Sequence, residues 1–247
     1  MIKFFSICIM TIIPFLGFSQ NKGNKAQKII DKAIEAHGGQ LYHSAHYSFL
    51  FRENLYTFKN NNNQFYYTKK VIKDNNTFLD ELNNGQLSRT KNGDPMVLSE
   101  KDMKSAKGAI NSVVYFVMLP FKLNDKAVNK TYIEQTIIKN KTYDVIGVTF
   151  KKEGGGDDYD DVFHYWINTT TNKIDYLAYK YHVNGGGVRF RRAYNVRTID
   201  GIIFQDYVNY KAKKDVVLRD LPTLFEDGKL KELSKIKTEH IINLKKQ

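Results

Sequence analysis

The stretch DVFHYWINTTTNKIDYLAYKYHVNGGGVRFRRAYNV, residues 161–196, decides the fold. Three runs rich in aromatic and β-branched residues, Asp161–Ile167, Ile174–Val183 and Val188–Val196, are separated by turn-forming segments at 169–173 and 184–187. Such runs read as strands. Connections this short permit only antiparallel hairpins, because a parallel crossover needs a dozen residues or more. The same pattern extends outward in both directions. Thr131–Ile138 and Asp144–Lys151 flank a Lys139-Asn140-Lys141 turn, and Ile202–Tyr210 follows Asp200-Gly201. Upstream, Tyr47, Phe49, Phe51, Tyr56, Phe58 and Phe65-Tyr66-Tyr67 lie in extended segments punctuated by Asn60–Asn63, Asn83-Asn84-Gly85 and Asn92-Gly93-Asp94.

Two segments carry a helical period instead. Ala26, Ile29, Ile30, Ala33, Ile34 and His37 recur at three- and four-residue spacing and stop at Gly38-Gly39. His37 is then expected as a helix-terminating imidazolium favoured by the helix dipole. Ser99, with Glu100 and Asp102 after it, is the expected N-cap of a second helix carrying Met103, Ala106, Ile110, Val113, Val114 and Val117 and stopped by Pro120. Its end, residues 113–119, is apolar on all sides. About nine to eleven antiparallel strands cannot stay flat and must curl. The expected fold is therefore mainly β (α+β): a curled antiparallel sheet forming an open or half-closed barrel around one or two amphipathic helices. The C-terminal segment from Val216, with Leu218, Leu221, Leu224 and Phe225, is expected to cover one mouth.

The chain has 247 residues with 42% hydrophobic content, enough to bury one full core and too much for a disordered polymer. Residues 1–19 read as a signal peptide: Lys3, an apolar run to Phe18, then the small residue Ser19. Residues 20–247 then form one exported domain, periplasmic or extracellular. No apolar run reaches the roughly 20 residues of a membrane-spanning helix. Cys8, the only cysteine, lies within the signal, so disulfides, thiolate metal sites and cysteine nucleophiles are excluded from the mature chain. The net charge of +12 is spread along the chain. It allows peripheral contact with an envelope membrane and is not organised as a nucleic-acid site.

Glu153-Gly154-Gly155-Gly156-Asp157-Asp158-Tyr159-Asp160-Asp161 is the least ordinary segment. Crowded carboxylates need positive charge nearby. A hard cation held by Asp157, Asp158, Asp160 and Asp161 would supply it, although the spacing is not that of an EF-hand. Arginines beside the Gly185–Gly187 loop, Arg189 and Arg191 on one face and Arg192 on the other, would equally supply it. Asp157 and Asp158, or Asp160 and Asp161, with His164 or His182, are the candidates for acid–base chemistry. No zincin pair, nucleophile elbow, Walker or Rossmann pattern occurs, and no cofactor is expected. The aromatic surplus, 16 Tyr and 16 Phe, forms the core or lines a cavity. Phe116, Phe163, Tyr165, Trp166, Tyr179 and Tyr181, with Arg189 and Arg191, are the candidate ligand-binding residues.

Ile30–Gly39, Asn111–Phe116 with Leu119-Pro120, Glu153–Asp158 and Tyr181–Gly187 together resemble an uncharacterised family of exported proteins from Bacteroidota, domain of unknown function 6503. More remotely, a helix ending in Gly-Gly before a long aromatic meander with a second helix inserted is similar to the periplasmic lipoprotein carriers of the LolA and LolB type, half-barrels that hold acyl chains. The resemblance implies a non-enzymatic envelope protein holding a lipid or other apolar ligand in the concavity of its sheet. The alternatives are a hydrolase-type enzyme built on the acidic glycine loop and a structural or protein-interaction domain.

Overall fold

The computed structural model describes residues 17–154 and 159–246. Most of the expected signal peptide, and Asp157 and Asp158, lie outside these residues. The chain opens with helix α1 (Gly17–His37), followed by strands β1 (His46–Phe51), β2 (Asn54–Asn61), β3 (Gln64–Lys73), β4 (Asn76–Asn83), β5 (Gln86–Lys91) and β6 (Asp94–Pro95). Helix α2 (Glu100–Val117) leads to β7 (Val128–Ile138), β8 (Lys141–Phe150), β9 (Val162–Asn168), β10 (Ile174–Tyr181), β11 (Gly187–Ile199) and β12 (Ile202–Ala212). The short helix α3 (Leu221–Glu226) precedes β13 (Lys231–Ile236) and β14 (Glu239–Asn243).

Among the described residues every ladder is antiparallel, as the short turns require. The strands form two seven-stranded sheets that do not close into a barrel, rather than one sheet of nine to eleven strands. The first has the order β14-β1-β2-β3-β4-β5-β6 and the second β13-β12-β11-β10-β9-β8-β7. Two features account for the difference. The insertion of α2 after the two-residue β6 interrupts the meander, and the C-terminal segment supplies one edge strand to each sheet.

In the first sheet, alternation produces a continuous apolar stripe. Tyr47 lies opposite Phe58, Phe58 opposite Tyr67, Tyr67 opposite Leu82 and Leu82 opposite Leu87. Ile110 and Val114 of α2, with Met118 at its C-cap, cover this stripe. The helix starts as its sequence suggests: Ser99 Oγ accepts from the Asp102 N–H at 3.1 Å and donates to the Asp102 carboxylate at 2.6 Å. Its all-round apolar end has a structural reason, since Tyr115 and Phe116 turn the other way and pack on the second sheet. Ala26, Ile30 and Ala33 of α1 cover the same face of that sheet, against Ile146, Tyr165 and Leu177.

The C-terminal segment departs from expectation. Leu218, Leu221, Leu224 and Phe225 cover no mouth; they pack on the outer face of the second sheet, over Trp166, Tyr176 and Phe190. The central strands of this sheet are thus buried on both faces, and β9 and β10 alternate between two largely apolar sets rather than between apolar and polar.

His37 also differs from its expected role. It is fully buried, and Nδ1 donates to the Ala33 carbonyl at 2.8 Å, within its own helix. Burial pushes its pKa down to about 4, so it is neutral at physiological pH and gains nothing from the helix dipole. Gly38 ends α1 with φ 139°, and a Cβ there would lie 3.1–3.2 Å from Ile202 and the Gly201 carbonyl, so glycine alone fits. A histidine that is neutral when folded but protonates near pH 6.5 when unfolded makes the unfolded chain the greater proton binder below that pH. The stabilisation is complete above pH 6.5 and declines as pH falls toward 4. His164, pushed down to about 4 by burial, acts in the same direction. Urea denaturation should show the protein losing on the order of 2 kcal/mol per such histidine between pH 7 and pH 5. The His37→Gln variant should have a visibly flatter profile over this range, and an unchanged slope would disprove the assignment.

Candidate functional site

The inner face of the second sheet, beneath the helices, brings together most of the aromatic residues that the sequence marks. Two rows of cross-strand neighbours define it. Val148, Phe163, Tyr179 and Arg189 form one, and Ile146, Tyr165, Leu177 and Arg191 the other. Phe163 and Tyr179 stack at 5.2 Å between centroids, and Phe116 from α2 lies 5.8 Å from Tyr179 and 6.3 Å from Phe163. Tyr115 and Phe150, which the sequence reading did not single out, complete the cluster at 6.1 Å from one another. The available signal was the all-round apolar end of α2, which requires partners on more than one side. Tyr115 and Tyr165 share a hydrogen bond of 2.7 Å, and burial raises the pKa of both phenols far out of the physiological range.

Arg191 is the one charged side chain within this cluster. Its guanidinium carbon lies 4.1 Å from the Phe116 centroid and 5.1 Å from that of Tyr179, and a terminal N–H donates to Tyr179 Oη at 2.8 Å. The residue is only 8% exposed, yet its Nε–H has no hydrogen-bond partner, and among the described residues no carboxylate pairs with it. Cation–π contact compensates part of the lost hydration but does not satisfy a donor. Arg189, one row nearer the rim, donates to Tyr181 Oη at 2.6 Å. Gly187 makes room for this pair, since a Cβ there would come within 2.8 Å of Tyr181 Oη and 3.0 Å of Arg189 Nη1.

Trp166 does not join this cluster: it lies on the opposite face with Phe190, under the C-terminal segment, because it alternates with Phe163 and Tyr165 along β9. His164 shares that outer face and lies opposite Ala178. His164 and His182 therefore do not meet: His182 follows the end of β10, and its Nδ1 lies 3.5 Å from Asp160 Oδ2 and 3.7 Å from Asp161 Oδ1. The described ends of both glycine loops thus share one rim of the second sheet. No helix among the described residues is long and apolar enough to cross a membrane.

A β-rich chain with two helices packed on the inner faces of antiparallel sheets is the class that this architecture defines. Within it, the chain belongs to the family of unknown function DUF6503, whose profile matches residues 3–238. No curated protein matches. Among solved structures, a LolA superfamily protein from Nitrosomonas europaea is 14% identical, covering 87% of this chain and 92% of its own, with a TM-score of 0.45. A putative outer membrane lipoprotein-sorting protein domain from Vibrio parahaemolyticus is 6% identical, with 90% and 93% covered and a TM-score of 0.48. A DUF1329 family protein from Desulfovibrio piger is 10% identical, with 89% and 93% covered and a TM-score of 0.40.

Buried Arg191 and partly buried Arg197, both on β11, are energetically unlike. Arg197 donates to the Asp206 carboxylate at 3.0 Å and to Thr238 Oγ1 at 2.8 Å, whereas Arg191 has no anionic partner among the described residues. Arg197→Met should cost about 3 kcal/mol, because it removes the cationic partner of the buried Asp206 carboxylate and leaves it with neutral donors alone. Arg191→Met should leave the thermal midpoint unchanged or raise it, since it removes an incompletely satisfied buried charge. Thermal denaturation of both variants checks the contrast, and a large loss in Arg191→Met would make that arginine structural.

Proposed function

We propose that this protein is an exported binding protein of the cell envelope that holds a lipid or other apolar ligand carrying an anionic head group, between the inner face of the second sheet and α2. The observation that carries the reading is Arg191: a buried guanidinium with an unused donor, placed among Phe116, Phe163, Tyr165 and Tyr179. Apolar sites with few, well-placed polar groups are the usual form of small-ligand pockets. Here the aromatic rows would take the hydrocarbon, and Arg191 would meet a carboxylate or phosphate with a charge-assisted bond.

The inner face is already covered, so a ligand must displace part of the cover. The first six residues of α2, Glu100–Ser105, are all exposed, and its buried residues are Ala106, Ile110 and Val114. A shift of the end that carries Phe116 would open the aromatic rows while leaving α1 on the sheet. Export is supported by the character of residues 1–19. Cleavage after Ser19 would retain Ala26, Ile30 and Ala33, the residues by which α1 is seated.

The test is displacement of an environment-sensitive fluorescent probe by a long-chain fatty acid and by the alcohol of the same chain length, with native mass spectrometry of protein purified from its own envelope. The acid should bind roughly tenfold more tightly than the alcohol, and Arg191→Met should abolish that preference while retaining affinity for the alcohol. Absence of binding by either compound, with no acyl-containing molecule extracted from the purified protein, would overturn the reading.

A further inference from the structure

The acidic segment before β9 and the histidine after β10 are not used by the proposed ligand site, and their geometry has a chemistry of its own. We propose that Asp160, Asp161 and His182 form a site for one divalent transition-metal ion, with zinc as the ion that fits best. The ladder fixes the arrangement: Val162 lies opposite Lys180, so continuing the antiparallel register beyond the strands brings the two aspartates level with Tyr181 and His182. One ligand atom from each residue, an imidazole nitrogen and two carboxylate oxygens, lies within 4.8 Å of the others.

The separations suit coordination better than direct hydrogen bonding. His182 Nδ1 is 3.5 Å from Asp160 Oδ2 and 3.7 Å from Asp161 Oδ1. An N–H···O bond would bring these atoms to about 2.7–3.2 Å. A zinc ion bonded at about 2.0–2.2 Å to each donor spaces neighbouring donors by roughly 3–3.6 Å. The ligand atoms therefore need only small side-chain rotations to converge on one ion.

The donor set decides the class of ion. Calcium and magnesium take oxygen donors almost exclusively, and the imidazole is a mismatch for either. Soft ions such as copper(I) favour thiolate or thioether ligands, and none belongs to this cluster. Imidazole with carboxylates is a combination that zinc accepts, and three protein ligands leave a coordination position for water or an exogenous ligand. Burial divides the roles. The Asp161 side chain is 8% exposed and anchored by the fold, whereas Asp160 and His182, each 52% exposed, can adjust to the ion and leave its outer side open to solvent. An ion here would cross-link the start of β9 to the end of β10 at the rim next to Tyr181 and Arg189.

The test is calorimetric titration of the untagged full chain, freed of metal with a chelator, with Zn²⁺ and separately with Ca²⁺. One Zn²⁺ per chain is expected, with Ca²⁺ binding at least about tenfold more weakly. His182→Ala and Asp160→Asn should each weaken Zn²⁺ binding by roughly tenfold or more. The double variant His43→Ala, His240→Ala should bind as the parent does, because both of those histidines are exposed and outside the cluster. Asp160 and His182 are half-exposed, so their variants should fold, which circular dichroism checks. Sub-stoichiometric uptake, a preference for Ca²⁺, or Zn²⁺ affinity undiminished in both cluster variants would overturn the proposal.

Discussion

The buried carboxylate of Asp206 fixes the point at which the chain passes from the second sheet to the first. It is 3% exposed and accepts from Arg197, from the Asn195 side chain at 2.7 Å, and from both the N–H and the hydroxyl of Thr238. Thr238 is the residue at which the chain leaves β13 in the second sheet for β14 in the first. An irregularity in β11 between Tyr194 and Arg197 turns the strand so that Asn195 and Arg197 both reach this point. A carboxylate buried without partners costs several kcal/mol, but one saturated with donors in a low-dielectric seam is specific as well as tolerated. The seam is extended by the Tyr47 hydroxyl, which donates to the Ile199 carbonyl at 3.1 Å.

Once the sheets meet at that seam, the position of α2 follows. Each sheet presents an apolar inner face, and a single helix lying across both must be apolar on more than one side. Val114 and Met118 serve the first sheet and Tyr115 and Phe116 the second, so the run from Val113 to Leu119 records the join. The second sheet has a further requirement, because its outer face is apolar as well. Residues 218–225 meet it, so that Trp166 and Phe190 are core residues on one side while Phe163, Tyr179 and Arg191 form the candidate site on the other.

These relations mark what could be read from the residues alone. Strands, turns, the Ser99 cap and the Gly38 stop were legible because each depends on neighbours within a few positions. Alternation also placed Arg189 and Arg191 on the same face. Which face is inward was not legible in β9 and β10, where both alternating sets are apolar and only the C-terminal cover distinguishes them; the candidate residues Phe163, Tyr165 and Trp166 therefore span both faces. The C-terminal segment adds one edge strand to each sheet, and the point where it crosses between them is pinned by Thr238 on Asp206, a contact between residues 32 apart that no local period encodes. His37 shows the same limit. Its place at a helix end was visible, but the complete burial that makes it neutral is imposed by the tertiary packing around the end of α1.

Arg191 and Arg197 lie six positions apart on one strand, and both are guanidinium groups removed from most solvent. Around Arg197 the chain provides a carboxylate, a hydroxyl and carbonyls, the full complement that a buried cation requires. Around Arg191 it provides π faces and one phenol. A purely structural demand at position 191 would be met more cheaply by methionine or leucine, since neither carries a donor into the apolar rows. Placing a guanidinium there leaves a desolvation cost that the surrounding side chains only partly offset. Under the proposed function, that residual cost would be relieved by an anion arriving with its own hydrocarbon to replace the contacts of Phe116, which would tie the charge of the ligand to a displacement of α2.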